Sequence, residues 1–366
     1  MRFRAAVLHA TDRPLAIESV ELPAPGPGEV LVRNHASGLC HTDLEVMQGH
    51  LGYPLPIVLG HEGAGVVEAV GRDVAGLRVG DPVVASWNPH CGHCFYCTRD
   101  EPVLCEPFRQ HQPAGRMMDV TTRLTLDGRV LHHFGVVSSH AEYSLLPQSG
   151  AIAIPRDMPL DLACLIGCGV MTGVGAVVRH ARPEPGSTIA VVGCGAVGLN
   201  AIQGGVIADA ERIVAIDRDP ARLARARAFG ATDVVRVDED PLGVVKSVTA
   251  GRGADAVFEC AGAESAMQLA LDVARPGAHV VILGKVPVQQ KVAFRFGSLM
   301  GEKRITRSSY GGARPERDFP WLARLYLDGR LKLDALVTSR LPLERINEGF
   351  DAMRRGEGVR TVVQLA

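Results

Sequence analysis

The stretch from Thr188 to Asp217, TIAVVGCGAVGLNAIQGGVIADAERIVAID, limits the possible folds more than any other part of the chain. A continuous apolar run, TIAVV, meets Gly193-Cys194-Gly195-Ala196-Val197-Gly198, and a helical pattern follows. Glycines Gly193, Gly195 and Gly198 let the backbone turn and approach a pyrophosphate, whose charge meets the N-terminus of the helix. A lone GxGxxG is weak in a chain with 41 glycines. Here the strand before it, the helix after it and Asp217 at the end of RIVAID give the pattern a mechanism. The uncharged segment Ile189–Ala208 is as long as a membrane span, but its five glycines fit a strand, turn and helix better.

Asp217 can accept hydrogen bonds from both hydroxyls of an adenosine ribose, and a 2′-phosphate there would meet a like charge. NAD is therefore favoured over NADP, although Arg218 follows; a strand-end cap is the competing role for Asp217. The alternation continues through the helix PARLARARAFG, DVVRV, DAVFECAG, the helix ESAMQLALDVARPG and HVVILG. Such a series implies an α/β, doubly wound parallel sheet. Before it, RAAVLHA, EVLVRNHASGL, GAGVVEAVG and DPVVASW read as strands between turn clusters. After about residue 310 the pattern turns mainly helical and ends in a strand-like RTVVQLA. The chain thus leaves one domain (1–169), builds a nucleotide-binding domain (170–309) and returns to the first (310–366).

Thirty-nine basic and forty acidic side chains leave a net charge of −1, so no global field favours nucleic acid or an anionic membrane. The N-terminal AAVL is too short for the apolar core of a signal peptide, which points to the cytoplasm. Nine cysteines there should be thiols or metal ligands. Cys91, Cys94, Cys97 and Cys105 stand at CxxCxxCx7C, a spacing that suits a tetrahedral zinc. Four thiolates saturate the metal, so the site should be structural. An iron–sulfur cluster is the competitor, and the spacing of seven without a following proline favours zinc. His90 and His93 are expected to be bystanders.

Cys40 in GLCHTD, His61 in GHEGAGVV and Cys168 in GCGVMTG are further candidate ligands. Two thiolates and an imidazole would neutralise a zinc and leave a fourth position open, where an alcohol would ionise before hydride departure. GLCHTD, GHEGAGVVEAVG, the four-cysteine loop, HHFGVVSSHAEYS, GCGVMTG, GCGAVG and PLERINEGFDAMRRGEGVRT together resemble the zinc-dependent medium-chain alcohol dehydrogenases over essentially the whole chain. The likeness is greatest to the long-loop branch of liver-type and glutathione-dependent formaldehyde dehydrogenases.

The resemblance implies a β-rich GroES-like catalytic domain, a Rossmann coenzyme domain, two zinc ions per chain and NAD. It also implies a homodimer, with a homotetramer as the alternative, acting on a small alcohol or aldehyde. Cys40, His61 and Cys168 would bind catalytic zinc, Thr42 would take the alcohol proton, Asp43 would orient His61 and Glu62 would sit behind the metal. His41 would lie near the pyrophosphate, Arg222 would flank the ribose and Arg360 would pair with the pyrophosphate. Thr172 and Val197 would pack on the nicotinamide. The liver-type relay ends in a histidine where this chain has Glu45, so Glu45, His41 and His50 remain candidates for the outer relay, and Glu45 can equally be a solvated side chain. Trp87, Leu51 and Tyr310 would line the substrate pocket and favour slender or flat primary alcohols, aryl or medium-chain. Arg109 matches an arginine that binds a substrate carboxylate in the thiol-dependent branch, but its acidic partner near Leu51 is absent. A thiol-dependent formaldehyde dehydrogenase and a nicotinoprotein with permanently held cofactor are the alternatives.

Overall fold

The computed structural model describes residues Met1 to Leu365 and contains two compact units, Met1–Cys168 with the segment from Arg314 onward, and Gly169–Ala313.

The second unit is built on a six-stranded sheet in which every pairing is parallel. Its order is Asp233–Arg236, Arg212–Asp217, Thr188–Val192, Ala254–Glu259, Ala274–Ile282 and Arg304–Arg307. The sequence order reverses beside Thr188–Val192, which is where open α/β sheets place a ligand crevice. All five residues of that strand are buried, because helices cover both faces of a parallel sheet. The helix Pro220–Ala228 starts where Asp219 accepts the Ala221 N–H at 2.8 Å and Pro220 sets the first turn. The helix begun at Ala196 stops at Ile207, because Asp209 turns left-handed and its carbonyl accepts the Gly186 N–H. Similarly, the helix Glu264–Val273 ends before Ala274, which already begins the next strand.

The first unit contains two mainly antiparallel sheets. One runs Ala151–Ala153, Pro82–Ala85, Glu62–Val70, Glu29–Gly38, Arg360–Gln364 and Val337–Pro342, with Tyr143–Pro147 also paired to Glu29–Gly38. The other includes Arg2–Leu8 paired with Ala16–Glu21. Their inner faces enclose Val30, Val32, Val67, Val83 and Leu146 on one side and Leu8, Leu39, Ile57 and Leu59 on another. The returning segment supplies the helices Pro315–Leu327 and Ile346–Arg354, and two strands where only the last was expected. Among the described residues no single helix is long and apolar enough to cross a membrane.

Candidate active site

The sulfurs of Cys91, Cys94, Cys97 and Cys105 all lie within 4.8 Å of one another. Those of Cys91 and Cys97 are 4.0 Å apart, near the edge of about 3.8 Å expected for a tetrahedron with zinc–sulfur arms of about 2.3 Å. The Cys91 N–H donates to Cys105 Sγ and the Cys94 N–H to Cys91 Sγ, both at 3.3 Å. Burial and neighbouring thiols push Cys97 up to about 12, while backbone N–H groups draw Cys94 down to about 6 against its burial. Four such sulfurs cannot all ionise without a cation among them, so the donor set fits a zinc. The loop is tied to the returning segment by Arg314 and Asp100 at 2.6 Å. His93 faces solvent and His90 lies 3.5 Å from Glu316, both outside the four-sulfur group.

The second cluster is assembled from three separate segments. Cys40 caps the short helix His41–Met47 in an extended conformation, and Asp43 reaches back to accept its N–H at 3.2 Å. His61 immediately precedes the strand Glu62–Val70, and Cys168 follows the turn Cys164–Gly167. The ligating atoms of Cys40, His61, Glu62 and Cys168 lie within 4.8 Å of one another. His61 Nε2 is 3.3 Å from Cys168 Sγ, against an edge of about 3.6 Å for tetrahedral zinc with ordinary arms. A hydrogen bond with Cys168 holds the Cys40 thiol well below its usual value, and the same bond raises Cys168. Burial alone would lower His61, but Asp43 and the Cys40 sulfur raise it well above an ordinary histidine. Protons thus stand in for positive charge among these donors, and a zinc that displaced them would fit the set.

Asp43 is fully buried, and its Oδ1 accepts from Gly60 N at 3.0 Å and faces His61 Nδ1 at 3.2 Å. That bond turns Nε2 of His61 toward the sulfurs. Glu62, also fully buried, pairs through Oε2 with the buried guanidinium of Arg360, while its Oε1 has no hydrogen-bond partner. Burial pushes Glu62 up to about 7 against the pull of Arg360. The pairing of Glu62 with Arg360 was not legible in the sequence, where the two stand 298 residues apart.

In the other unit, Gly193 takes a φ of +95°, and a Cβ on Gly198 would overlap the Gly193 carbonyl oxygen. Gly195 caps the helix Ala196–Ile207 in extended backbone. Asp217 is buried, with Oδ2 accepting from Cys194 N at 2.7 Å and Oδ1 from Asp219 N at 3.0 Å. It therefore ties down the glycine turn, and each oxygen keeps a lone pair for another donor. Val197 and Thr172 are half-buried, and Arg222 is partly exposed, 3.7 Å from Asp219.

The alcohol dehydrogenase GroES-like domain family matches residues 26–156, and the zinc-binding dehydrogenase family matches residues 196–328. The class-3 alcohol dehydrogenase of Myxine glutinosa is 39% identical over 366 residues, 99% of this chain and 97% of that protein. The chain belongs to the zinc-dependent medium-chain alcohol dehydrogenases. Members are oxidoreductases acting on CH–OH donors. An alcohol dehydrogenase zinc-binding domain protein from Burkholderia ambifaria superposes with a TM-score of 0.96 at 37% identity, covering 100% of this chain and 99% of that one. Benzyl alcohol dehydrogenase from Acinetobacter calcoaceticus superposes with a TM-score of 0.95 at 31% identity, covering 100% of both chains.

Within this alcohol dehydrogenase the remaining predicted positions fall in different surroundings. Thr42 and Glu45 are half-buried on the helix begun by Cys40, whereas His41 and His50 are exposed. Trp87 is half-buried, its ring 6.3 Å from Phe108, and Leu51 packs against the core that contains Phe134. Phe134 presents an edge-to-face contact to His61 at 5.4 Å and to Tyr53 at 5.0 Å, a wall overlooked in the HHFGVV segment. Arg109 is exposed on the helix Glu106–His111. Tyr310 is buried in the second unit with a φ of +56°.

Proposed function

We propose that the chain oxidises a primary alcohol, aryl or medium-chain, to its aldehyde with NAD as acceptor, reversibly. The observation that carries this reading is the group of Cys40, His61 and Cys168, two sulfurs and one imidazole, with Glu62 held back by Arg360. When bound, zinc would supply Lewis acidity to the alcohol oxygen, and NAD would accept the hydride. The Thr42 hydroxyl accepts the alcohol proton and passes it outward, with Glu45, His41 and His50 as candidate onward acceptors. Asp43 keeps His61 in the tautomer that ligates through Nε2. The glycine turn receives the pyrophosphate at the start of the helix Ala196–Ile207. Asp217 and Arg222 hold the ribose, while Thr172 and Val197 support the nicotinamide. The similarity to a benzyl alcohol dehydrogenase supports an aryl substrate lying against Trp87 and Leu51.

The second reading is thiol-dependent formaldehyde oxidation, favoured by the class-3 relative and by Arg109. The two are separated by assaying NAD reduction with benzyl alcohol and octanol, and with formaldehyde with and without glutathione. Activity on the free alcohols supports the first reading; activity only with formaldehyde plus glutathione replaces it. NADH that survives gel filtration would mark a nicotinoprotein.

A homodimer is the proposed assembly. The strand Arg304–Arg307 pairs on one side only, and Val288, Phe296 and Met300 in the preceding segment are 85%, 77% and 62% exposed. Light scattering at a molar mass near 39.0 kDa would reject it. Nine free cysteines suit a reducing cytoplasm.

A further inference from the structure

We propose that His140 is a positioning residue for the metal ligand His61, acting through the Asp43 carboxylate that the two imidazoles share. The inference rests on the catalytic-zinc reading above.

His140 is fully buried beside the equally buried Asp43. Its Nδ1 lies 2.9 Å from Ser37 Oγ, which in turn lies 2.7 Å from Ser139 Oγ. Its Nε2 is buried without a hydrogen-bond partner and stands 3.9 Å from Asp43 Oδ1, the same oxygen that faces His61. At that separation the contact is one of dipole and charge rather than a hydrogen bond. The backbone cannot drift from this place. Ser139 N donates to Gly60 O at 2.9 Å, His140 N to Leu59 O at 3.0 Å, and Ala6 N to His140 O at 2.8 Å. Gly60, at φ +92°, is pressed so closely that a Cβ on it would sit 2.7 Å from His140 Nδ1. The segment carrying His140 is thus clamped to the residue preceding His61.

Proton accounting fixes the direction of the chain. Burial keeps His140 neutral, its value lowered to about 4, so the ring carries a single N–H. Placed on Nδ1, that hydrogen would leave an Nε2 lone pair facing a carboxylate, which is repulsive. Placed on Nε2, it points positive density at Asp43, and Nδ1 accepts from the Ser37 hydroxyl, which accepts from Ser139. Ser139, Ser37 and His140 then point their hydrogens in one series that ends on the Asp43 carboxylate, whose same oxygen accepts from His61 Nδ1. Asp43 is held from two sides, and the His61 ring cannot rotate about its bond to it without disturbing both.

The test uses the zinc-loaded enzyme and its cobalt-substituted form. His140→Phe keeps the ring volume, including the contact with Phe350, but removes the N–H. His140→Gln restores a donor. The readouts are the transfer rate of each zinc equivalent to a chromophoric chelator and the visible bands of cobalt in the catalytic site. His140→Phe should release one equivalent roughly 10-fold faster and shift the bands, with the four-cysteine equivalent unchanged, and His140→Gln should recover most of both. Should His140→Phe not fold, Ser37→Ala, which removes the hydroxyl that sets the tautomer, should show the same change at smaller size. Wild-type release and unshifted bands in the folded variant overturn the proposal alone. A wild-type enzyme holding a single zinc that Cys97→Ser abolishes overturns the catalytic-zinc reading and this proposal with it.

Discussion

The four-cysteine loop and the Cys40–His61–Cys168 cluster each gather their donor atoms within 4.8 Å of one another, by opposite means. The loop takes its ligands from Cys91 to Cys105, a single short stretch, and its sulfurs are met by backbone N–H groups. Three of its cysteines are only half-buried. The cluster joins residues as far apart as Cys40 and Cys168, 128 positions, and rests on a fully buried polar wall of Asp43, Glu62 and His140. A closed site is determined by its own four ligands. An open one has three, so side chains behind it must fix what a fourth ligand would have fixed. The first is a local clasp whose metal contributes folding energy, and the second is a site that the fold must prepare beforehand.

The largest effect that would break this contrast comes from exchanging ligands. Cys40→Ser or Cys168→Ser should cost about 10³-fold or more in kcat/KM while keeping one zinc and a wild-type circular dichroism spectrum. Cys97→Ser should lower the melting temperature and expose the loop to protease. A Cys97→Ser enzyme that melts like wild type yet is inactive would remove the distinction. Next in size, Arg360→Leu leaves Glu62 as a buried carboxylate without its cation, and should cost about 3–5 kcal/mol in urea unfolding. A cost below about 1 kcal/mol would mean that the pair is not held as ions. Staged chelation should sharpen the contrast further. One zinc should leave with activity while the fold persists, and the second only as tertiary structure is lost.

The smallest effect concerns a buried histidine with no metal to serve. His133 accepts the Arg123 N–H on Nε2 at 3.0 Å, and burial lowers it to about 3. The unfolded chain takes up a proton near the ordinary histidine value of about 6.5, whereas the folded chain resists until about 3. Its contribution is therefore intact above that ordinary value and is lost on acidification at up to about 1.4 kcal/mol per pH unit. His133→Asn, which keeps an acceptor but does not titrate, should flatten the pH dependence of urea midpoints between pH 6 and 4. An unchanged slope would rule His133 out as the cause.

Much of this was readable in the residues. The central parallel strands of the second unit are largely buried on both faces, so IAVV, IVAI and VVIL stand out as unbroken apolar runs. The seven-residue helices His41–Met47 and Pro241–Ser247 were overlooked because fewer than two turns of sequence carry little periodicity. The second is recognisable only from Asp240, which caps it by accepting the Gly243 N–H. Val337–Pro342, VTSRLP, buries one residue in six and becomes a strand only by pairing with Arg360–Gln364. In the site, cysteines and glycines were legible because few other roles need them at such spacing. Arg360 beside Glu62 and His140 beside Asp43 were not, since a contact between buried polar side chains from distant segments leaves no local pattern in a chain.

Arg360 sits on a strand inserted between Val337–Pro342 and Glu29–Gly38 in the sheet that also carries Glu62. During synthesis on a ribosome, that sheet cannot be completed when its first strands emerge. Gly169–Ala313, continuous in sequence, can fold while the gap in the older sheet still waits for Arg360–Gln364. Until then Glu62 has no guanidinium opposite it. The charge balance behind Cys40, His61 and Cys168 is therefore completed only once Arg360–Gln364 has been made, after the cysteine loop and the whole of the second unit.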